Sequence, residues 1–261
     1  MYLRDIVEKG RKLLICVIHL PPLPGSPEYC SNFEYIIDFA LRSSKNAEEG
    51  GADGVIIENF NDKPFLKVPP FETLVSISII VREVAKTLSI PVGVNILRNA
   101  CTEAAIIASL TGAKFIRCNA YCEPIICPEG IIEPEAGRVL RALRSLNTRV
   151  EVLADLRVKH AVSLYSQNIE DLVEEYYDRC RADFIIITGS RTGKPPSVEF
   201  LDNIVKISKI PILVGSGINI NNVKHYRSAH GYIVGTYVKD SRGMIDIEKV
   251  KALRREIDLL R

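Results

Sequence analysis

The chain has 261 residues, 47% hydrophobic and 25% charged, a length and balance that suit a soluble globular protein with one sizeable core and call for no disordered region. Its 34 basic and 32 acidic residues are interspersed and sum to +2, so no basic field for nucleic acid is visible. The N-terminus, MYLRDIVEKGRK, lacks the apolar core of a signal peptide, and no uninterrupted apolar run reaches the ~18 residues of a membrane span, so a cytoplasmic protein without membrane insertion is expected.

From residue 13 onward one unit recurs eight times: a short apolar run, a polar or glycine-bearing loop, then a stretch of helical period. The strand runs are LLICVI (13–18), GVIIE (54–58), VGVNI (92–96), FIRCN (115–119), VEVLAD (150–155), FIIIT (184–188), ILVG (212–215) and YIVG (232–235). Helices are expected near 32–50, 70–88, 101–111, 133–146, 168–181, 197–208, 219–228 and 245–259. The runs are continuously apolar, the pattern of strands covered by helices on both faces. Related phrases lead into several of them, GGAD, TGAK and RAD, and proline opens two more at IPVG and IPIL, where it cannot continue a helix but is tolerated at a strand start. Eight such units, with no GxGxxG after the first run, predict a single (β/α)8 TIM barrel over 1–261 in preference to an open doubly wound sheet. The last stretch, DIEKVKALRREIDLLR (246–261), reads as the helix that closes the outer ring; a homo-oligomer formed through a helix face is left open.

In such a barrel, function sits where strands end. Those positions are polar here: His19, Glu58 with Asn59, Asn95 with Arg98, Arg117 with Asn119, Asp155 with Lys159 and His160, and Thr188. Arg117 inside an apolar run is costly to bury alone and needs a carboxylate or a ligand; Glu58 and Asp155 are its candidate partners. After the last two runs, Gly215, Ser216, Gly217, Gly235 and Thr236 form glycine turns able to bring backbone N–H groups and two hydroxyls to a phosphate, with a helix start expected behind the first turn. The proline-rich segment HLPPLPGSPEY (19–29) is expected to run across the barrel mouth as a stiff wall, and AYCEPIICPEGIIE (120–133) to cover the same mouth.

Seven cysteines cannot all pair within one chain, and most are expected as buried thiols. Cys118, Cys122 and Cys127 cluster without CxxC spacing, which argues against zinc; a local disulfide is the alternative. No cofactor is expected. A divalent metal would have to draw on His19, Glu58, Asp155 and His160, and neither HxH nor HExxH occurs. His225 and His230 read as surface or packing residues.

The strings VIHLPPLPGSP (17–27), GADGVIIENFNDKPF (52–65), PVGVNILRN (91–99), GAKFIRCN (112–119), ADLRVKHA (154–161), TGSRTG (188–193), PILVGSGIN (211–219) and GYIVGTYVKD (231–240) together resemble the BtpA family, named for a photosystem I biogenesis protein. The resemblance spans nearly the whole chain and implies a barrel similar to the ribulose-phosphate-binding barrels. It departs at CPEGIIEP (127–134), where the family pattern leads one to expect an aspartate near Pro128 and a glycine near Pro134.

Two functions of different class follow. One is an enzyme acting on a small phosphorylated metabolite as an isomerase, lyase or nucleoside or sugar-phosphate hydrolase. His19, of a residue type that titrates near neutrality, and Asp155 would then serve as general acid and base beside Glu58, with Lys159 or Arg117 stabilising negative charge. A Schiff base at Lys159 is a variant of the same reading. Asn59, Asn95, Arg98, Asn119, His160 and Thr188 would bind substrate. The other is a non-catalytic biogenesis or assembly factor that uses the barrel as a scaffold and exposes an apolar patch.

Overall fold

The computed structural model describes residues 1–30, 32–165, 168–189 and 193–260. Ser190, Arg191 and Thr192 of the TGSRTG string therefore lie outside the described residues.

Strands β1 (Leu13–His19), β2 (Gly54–Glu58), β3 (Val92–Asn95), β4 (Phe115–Cys118), β7 (Glu151–Leu156), β9 (Phe184–Ile187), β10 (Ile212–Gly215) and β11 (Gly231–Val234) close in that order into a barrel. All neighbours pair in parallel, and β11 returns to β1 through Leu13↔Gly231 to Cys16↔Val234. Helices α2 (Phe33–Glu49), α3 (Phe71–Thr87), α4 (Cys101–Thr111), α5 (Ala136–Ser145), α6 (Ile169–Asp178), α7 (Val198–Ile207) and α8 (Ile247–Asp258) follow the strands and seal their outer faces. Four of the helices start where the sequence supplies a side-chain cap: Asn32, Asn168, Ser197 and Asp246 each accept from a backbone N–H of the first turn.

Because side chains alternate across a strand, inward positions stack in layers. The packed layers hold Leu13, Ile15, Val17, Ile56, Phe115, Leu153, Phe184, Ile186, Leu213 and Ile233. At Gly93 a Cβ would lie 2.2 Å from the Phe115 ring, so the glycine makes room for the phenyl that fills the barrel's centre. A short leading helix, α1 (Leu3–Glu8), plugs the bottom of the barrel with Leu3 and Ile6; its first N–H groups, from Leu3 and Arg4, donate to Glu151 at 2.8 and 3.0 Å. With 6 residues, α1 is too short to show a helical period in the sequence.

Four expectations are corrected. The helix expected over 219–228 is only a single 3-10 turn, Val223–Tyr226. Asparagine side chains there bind the backbone locally and compete with helix formation: Asn219 and Asn222 both donate to the Gly217 carbonyl, and Asn222 and Asn219 in turn accept from the Asn219 and Asn221 N–H groups. The helix expected from 133 begins at Ala136, because the residues before it form a hairpin. That hairpin, β5 (Ile125–Cys127) and β6 (Gly130–Ile132) about Pro128 and Glu129, pairs with β8 (Val162–Ser163) in a small antiparallel sheet beside the mouth.

The proline-rich segment 19–29 does not cross the mouth. Its Leu23 N–H donates to Asp62, its Leu20 and Pro24 carbonyls accept from Asn61 and Thr73, and it buttresses the loop after β2. Lastly, four cysteines are paired, Cys101 with Cys118 and Cys122 with Cys180, leaving Cys16, Cys30 and Cys127 free. The two bridges clamp the tetrapeptide Asn119–Cys122 and its neighbours to α4 on one side and to the end of α6 on the other.

Closing loops of 17 and 58 residues is worth about 3 and about 4 kcal/mol by chain entropy, so reduction is expected to lower the melting temperature sharply. Calorimetry with and without a phosphine reductant, repeated on Cys180→Ser, should give the larger share of that loss to the Cys122–Cys180 bridge.

Candidate active site

One layer above the apolar core, each strand presents its next inward residue: His19 two beyond Val17, Glu58 beyond Ile56, Asn95 beyond Gly93, Arg117 beyond Phe115, Asp155 beyond Leu153, Thr188 beyond Ile186, Gly215 beyond Leu213 and Gly235 beyond Ile233. Strand register sets them side by side, with His19 opposite Glu58 and Glu58 opposite Asn95. The mouth above this layer holds a cavity of about 370 Å³ and, adjoining it, a second of about 40 Å³. Glu58, Phe60, Arg117 and Lys159 line both.

The larger cavity is also lined by Asn95, Arg98, Asn119 and His160 of the expected residues. The smaller is lined by His19 and by all five of Gly215, Ser216, Gly217, Gly235 and Thr236. Gly217 has φ +70°, and a Cβ there would lie 2.4 Å from the Pro195 nitrogen, so glycine is required by conformation and by space. The Ser216 hydroxyl donates to the Lys194 carbonyl at 3.0 Å, which spends its proton on the neighbouring loop. Since only a 3-10 turn follows β10, the α-helix start expected behind the first glycine turn is not there.

Three expected residues stand elsewhere. Asp155 is fully buried beneath the cavity floor: both of its oxygens are taken by Arg117, at 3.0 and 2.9 Å, and one also by the Asn119 amide at 2.8 Å. With its lone pairs so engaged it positions Arg117 and Asn119 and is not placed to exchange a proton with a ligand. Asn59 ties two loops together, accepting from Leu97 N–H at 2.7 Å and donating to Asp62 at 3.0 Å, and lines only a side cavity behind the proline segment. Thr188 lines neither cavity, and its buried hydroxyl has no partner among the described residues.

Glu58 is 5% exposed, accepts from the Asn95 amide at 2.5 Å and lies 3.5 Å from His19 Nε2. Burial alone would push this carboxyl up, but His19, Arg117, Lys159 and the Asn95 amide outweigh it and hold it below the ordinary range. His19 goes the other way. Burial, with Lys239, Lys159 and Arg117 adding to it against Glu58, pushes the imidazole down to about 3, so it is neutral near pH 7 and stacks on Phe60 with ring centroids 4.1 Å apart. The expectation of a histidine titrating near neutrality is therefore corrected. Lys159 is also lowered, by burial first and then by Arg117. Its loop is fixed by left-handed backbone at Arg157 and His160, by the Arg157 N–H donating to buried Glu123, and by Arg98 donating to the Lys159 carbonyl at 3.0 Å.

Sequence reading missed the upper walls, Phe60, Lys63, Phe65, Leu97, Pro128 and Glu129. The segment that departs from the family pattern is the hairpin carrying Pro128 and Glu129, so a carboxylate lines the cavity there after all. It also missed Lys239, whose buried amine has no hydrogen-bond partner among the described residues and is lowered to about 7 by burial. Among the described residues no group of His, Cys, Asp and Glu is arranged to hold a metal ion; the set of His19, Glu58, Asp155 and His160 is broken by Asp155 facing Arg117.

The model of the BtpA family matches residues 10–258. An uncharacterised protein of Pyrococcus furiosus is 42% identical over 94% of this chain and 95% of its own. The photosystem I biogenesis protein BtpA of Synechocystis is 38% identical over 87% of this chain and 80% of its own. Among solved structures, thiamine phosphate pyrophosphorylase from Pyrococcus furiosus superposes with TM-score 0.58 at 18% identity, covering 96% of this chain and 98% of that one. Phosphoribosyl anthranilate isomerase from Thermus thermophilus gives TM-score 0.60 at 13% identity over 95% and 100%. These likenesses establish the barrel fold. No helix among the described residues is long and apolar enough to cross a membrane.

Two outcomes follow from the buried charges. Asp155→Asn leaves Arg117 without its counter-ion and is expected to cost about 3–5 kcal/mol in urea denaturation, whereas Lys159→Met should leave stability unchanged or raise it. As for pH, His19 binds its proton near 6.5 when unfolded but only near 3 when folded, and Lys239 near 10.5 unfolded but about 7 folded. In both windows the unfolded chain holds more protons, so stability rises with pH; the two contributions are complete above 6.5 and 10.5 and are lost as pH falls toward 3 and 7. Urea midpoints measured across pH should show both slopes, and Lys239→Met should flatten the alkaline one.

Proposed function

The chain belongs to the BtpA family, and on that footing we propose that it is an enzyme acting on a small phosphorylated metabolite, as an isomerase, a lyase or a nucleoside or sugar-phosphate hydrolase. The observation that carries this reading is that the two cavities adjoin and share lining residues. The five glycine-turn residues border a space of about 40 Å³, roughly three times the ~10–15 Å³ that one water needs and so about the size of a terminal phosphate's three oxygens. That space shares Glu58, Arg117 and Lys159 with the larger cavity.

A ligand with its phosphate in the small cavity would place its reacting carbons over Glu58. An ionised, desolvated carboxylate held by an amide can take a proton from carbon or face a developing cation. Lys159, beside it, suits a developing oxyanion, and the neutral imidazole of His19 stands 3.5 Å from the carboxylate. On this proposal the acid–base work expected of Asp155 and His19 falls to Glu58. The names of the two structural neighbours, a thiamine phosphate pyrophosphorylase and a phosphoribosyl anthranilate isomerase, support a phosphorylated ligand for this barrel shape.

A second reading, an assembly factor like the relative named for photosystem I biogenesis, draws on a different observation. Phe71, Val75 and Ile79 on α3, with Ile106 and Leu110 on the neighbouring α4, stand exposed at helical spacing. Such a stripe suits a partner or a second copy of the chain.

Thermal-shift screening with phosphorylated sugars and nucleotides separates the two readings, since a ligand at 100 times its Kd stabilises by about 2.7 kcal/mol. At least one phosphorylated compound is expected to raise the melting temperature, and Gly235→Ala, whose Cβ would sit 3.3 Å from His19 Nε2 at the small cavity, should weaken it about tenfold, or ~1.4 kcal/mol, without unfolding the protein. A flat response across the panel would favour the assembly factor.

A further inference from the structure

Two residues that line the larger cavity each carry a buried oxygen with no hydrogen-bond donor among the described residues. The first is Asn119 Oδ1. Asn119 is 3% exposed, and its amide orientation is not arbitrary: Nδ2 donates to the Asp155 carboxylate at 2.8 Å, and a carboxylate facing Arg117 can only accept. The oxygen end is therefore left as an open acceptor on the floor. The second is Glu129 Oε2, at the hairpin that walls the cavity above. Arg98 Nε lies 3.7 Å from it, close enough to balance charge but too far for a hydrogen bond, and the Cys127 thiol, which hydrogen-bonds the same carboxylate, leaves Oε2 unserved. Native proteins rarely leave buried acceptors unpaired, and the explanation offered by position is a donor supplied from the cavity.

The surroundings of the two acceptors differ. Asn119 shares the cavity lining with Arg117 and Lys159, which also border the phosphate-sized space, where a sugar hydroxyl would lie. Glu129 shares the cavity lining with Phe65, Leu97 and Pro128 and has Arg98 at 3.7 Å, so its unserved oxygen suits a group that is largely apolar yet carries N–H. A cavity of about 370 Å³ is also within the range of ~300 Å³ and above that takes ligands larger than a bare sugar phosphate.

We propose that the substrate class is a phosphorylated sugar joined to a nitrogen heterocycle, whose ring N–H or amino group is received by Glu129 and whose sugar hydroxyl is received by Asn119. Glu129 is then the specificity residue for the heterocycle. This deepens the phosphorylated-metabolite reading and rests on it.

The test is calorimetric titration of the intact protein with ribose 5-phosphate, guanosine 5′-monophosphate and cytidine 5′-monophosphate, on the natural chain and on Glu129→Met and Glu129→Gln. At least one of the nucleotides, both of which carry amino donors, is expected to bind about tenfold or more tighter than ribose 5-phosphate. Glu129→Met should abolish that preference while leaving ribose 5-phosphate affinity unchanged, and Glu129→Gln, which keeps one acceptor, should retain part of it. Ribose 5-phosphate binding as tightly as both nucleotides, or a Glu129→Met variant that keeps the preference or loses all three ligands alike, overturns the heterocycle and leaves the phosphate site standing. If none of the three binds the natural chain, the phosphorylated-ligand reading falls as well.

Discussion

The cavity floor depends on one buried contact, the two-pronged pairing of Arg117 with Asp155. Both side chains are almost wholly removed from water, and such a pair tolerates that only when its remaining hydrogen-bonding capacity is used. Here that condition is met. Asp155 takes two bonds from the guanidinium and a third from Asn119, while its backbone carbonyl accepts from the fully buried Tyr176 hydroxyl on α6. The pair sits in the first layer above the apolar stack, so the barrel changes from hydrocarbon to charge within two residues along β4 and β7. An apolar pair of similar volume would fill that space with less risk to stability. A charged pair one layer above the apolar stack, at the top of the barrel, is what a binding floor requires.

From that pair the site can be followed outward. Asn119 links Asp155 to the cavity and is itself held by the bridges on either side of it, Cys101–Cys118 to α4 and Cys122–Cys180 to α6. Glu123, a residue further on, accepts from the Arg157 N–H and the hydroxyls of Ser163 and Tyr176, tying the loop after β4 to the loop that carries Lys159. The cavity walls thus hang on a cross-linked frame of disulfides and buried carboxylates, while its rim at the glycine turns is secured by backbone contact with residues 194 and 195. Rigid support beneath and mixed polarity above are the arrangement expected of a site that positions a ligand.

Most of the barrel was legible in the sequence because its strands are buried on both faces: LLICVI, FIIIT and YIVG have no other stable placement in a chain with amphipathic stretches between them. The polar ends of those runs were legible for the same reason, since a charge at the end of an apolar strand must face the mouth. What could not be read was which of the ring members look up and which look sideways. Asp155 and Glu58 are alike in sequence context, and only the barrel's closure shows that β4 lies beside β7, giving Asp155 to Arg117 and leaving Glu58 to the cavity. The walls were missed because Phe65, Leu97 and Glu129 belong to loops, where no period marks direction. The hairpin IIC-PE-GII does carry a signal, two β-branched runs about a two-residue turn, but it is short and falls between two stronger βα units. The asparagines at 219, 221 and 222 likewise speak against a helix on propensity alone.

The electrostatics of the mouth bear on what it is built to meet. Lys159 is lowered by burial and by Arg117, with Arg98 adding in the same direction, and only Glu58 and Asp155 oppose them. Asp155 is already committed to Arg117, and Glu58 to the Asn95 amide. Lys159, at the junction of the two cavities, therefore has no carboxylate to itself among the described residues, and the amine of Lys239 has no hydrogen-bond partner among them. On the proposed reading, an anion in the glycine-rimmed space would give Lys159 a counter-charge in a setting where water screens little, so its gain would be larger than at an open surface. A scaffold that merely presents helices to a partner would have no use for this stored preference, because the exposed stripe on α3 and α4 lies on the outer ring and shares no residue with the cavities. The two features can serve the same molecule only if the outer stripe sets its assembly and the mouth its chemistry.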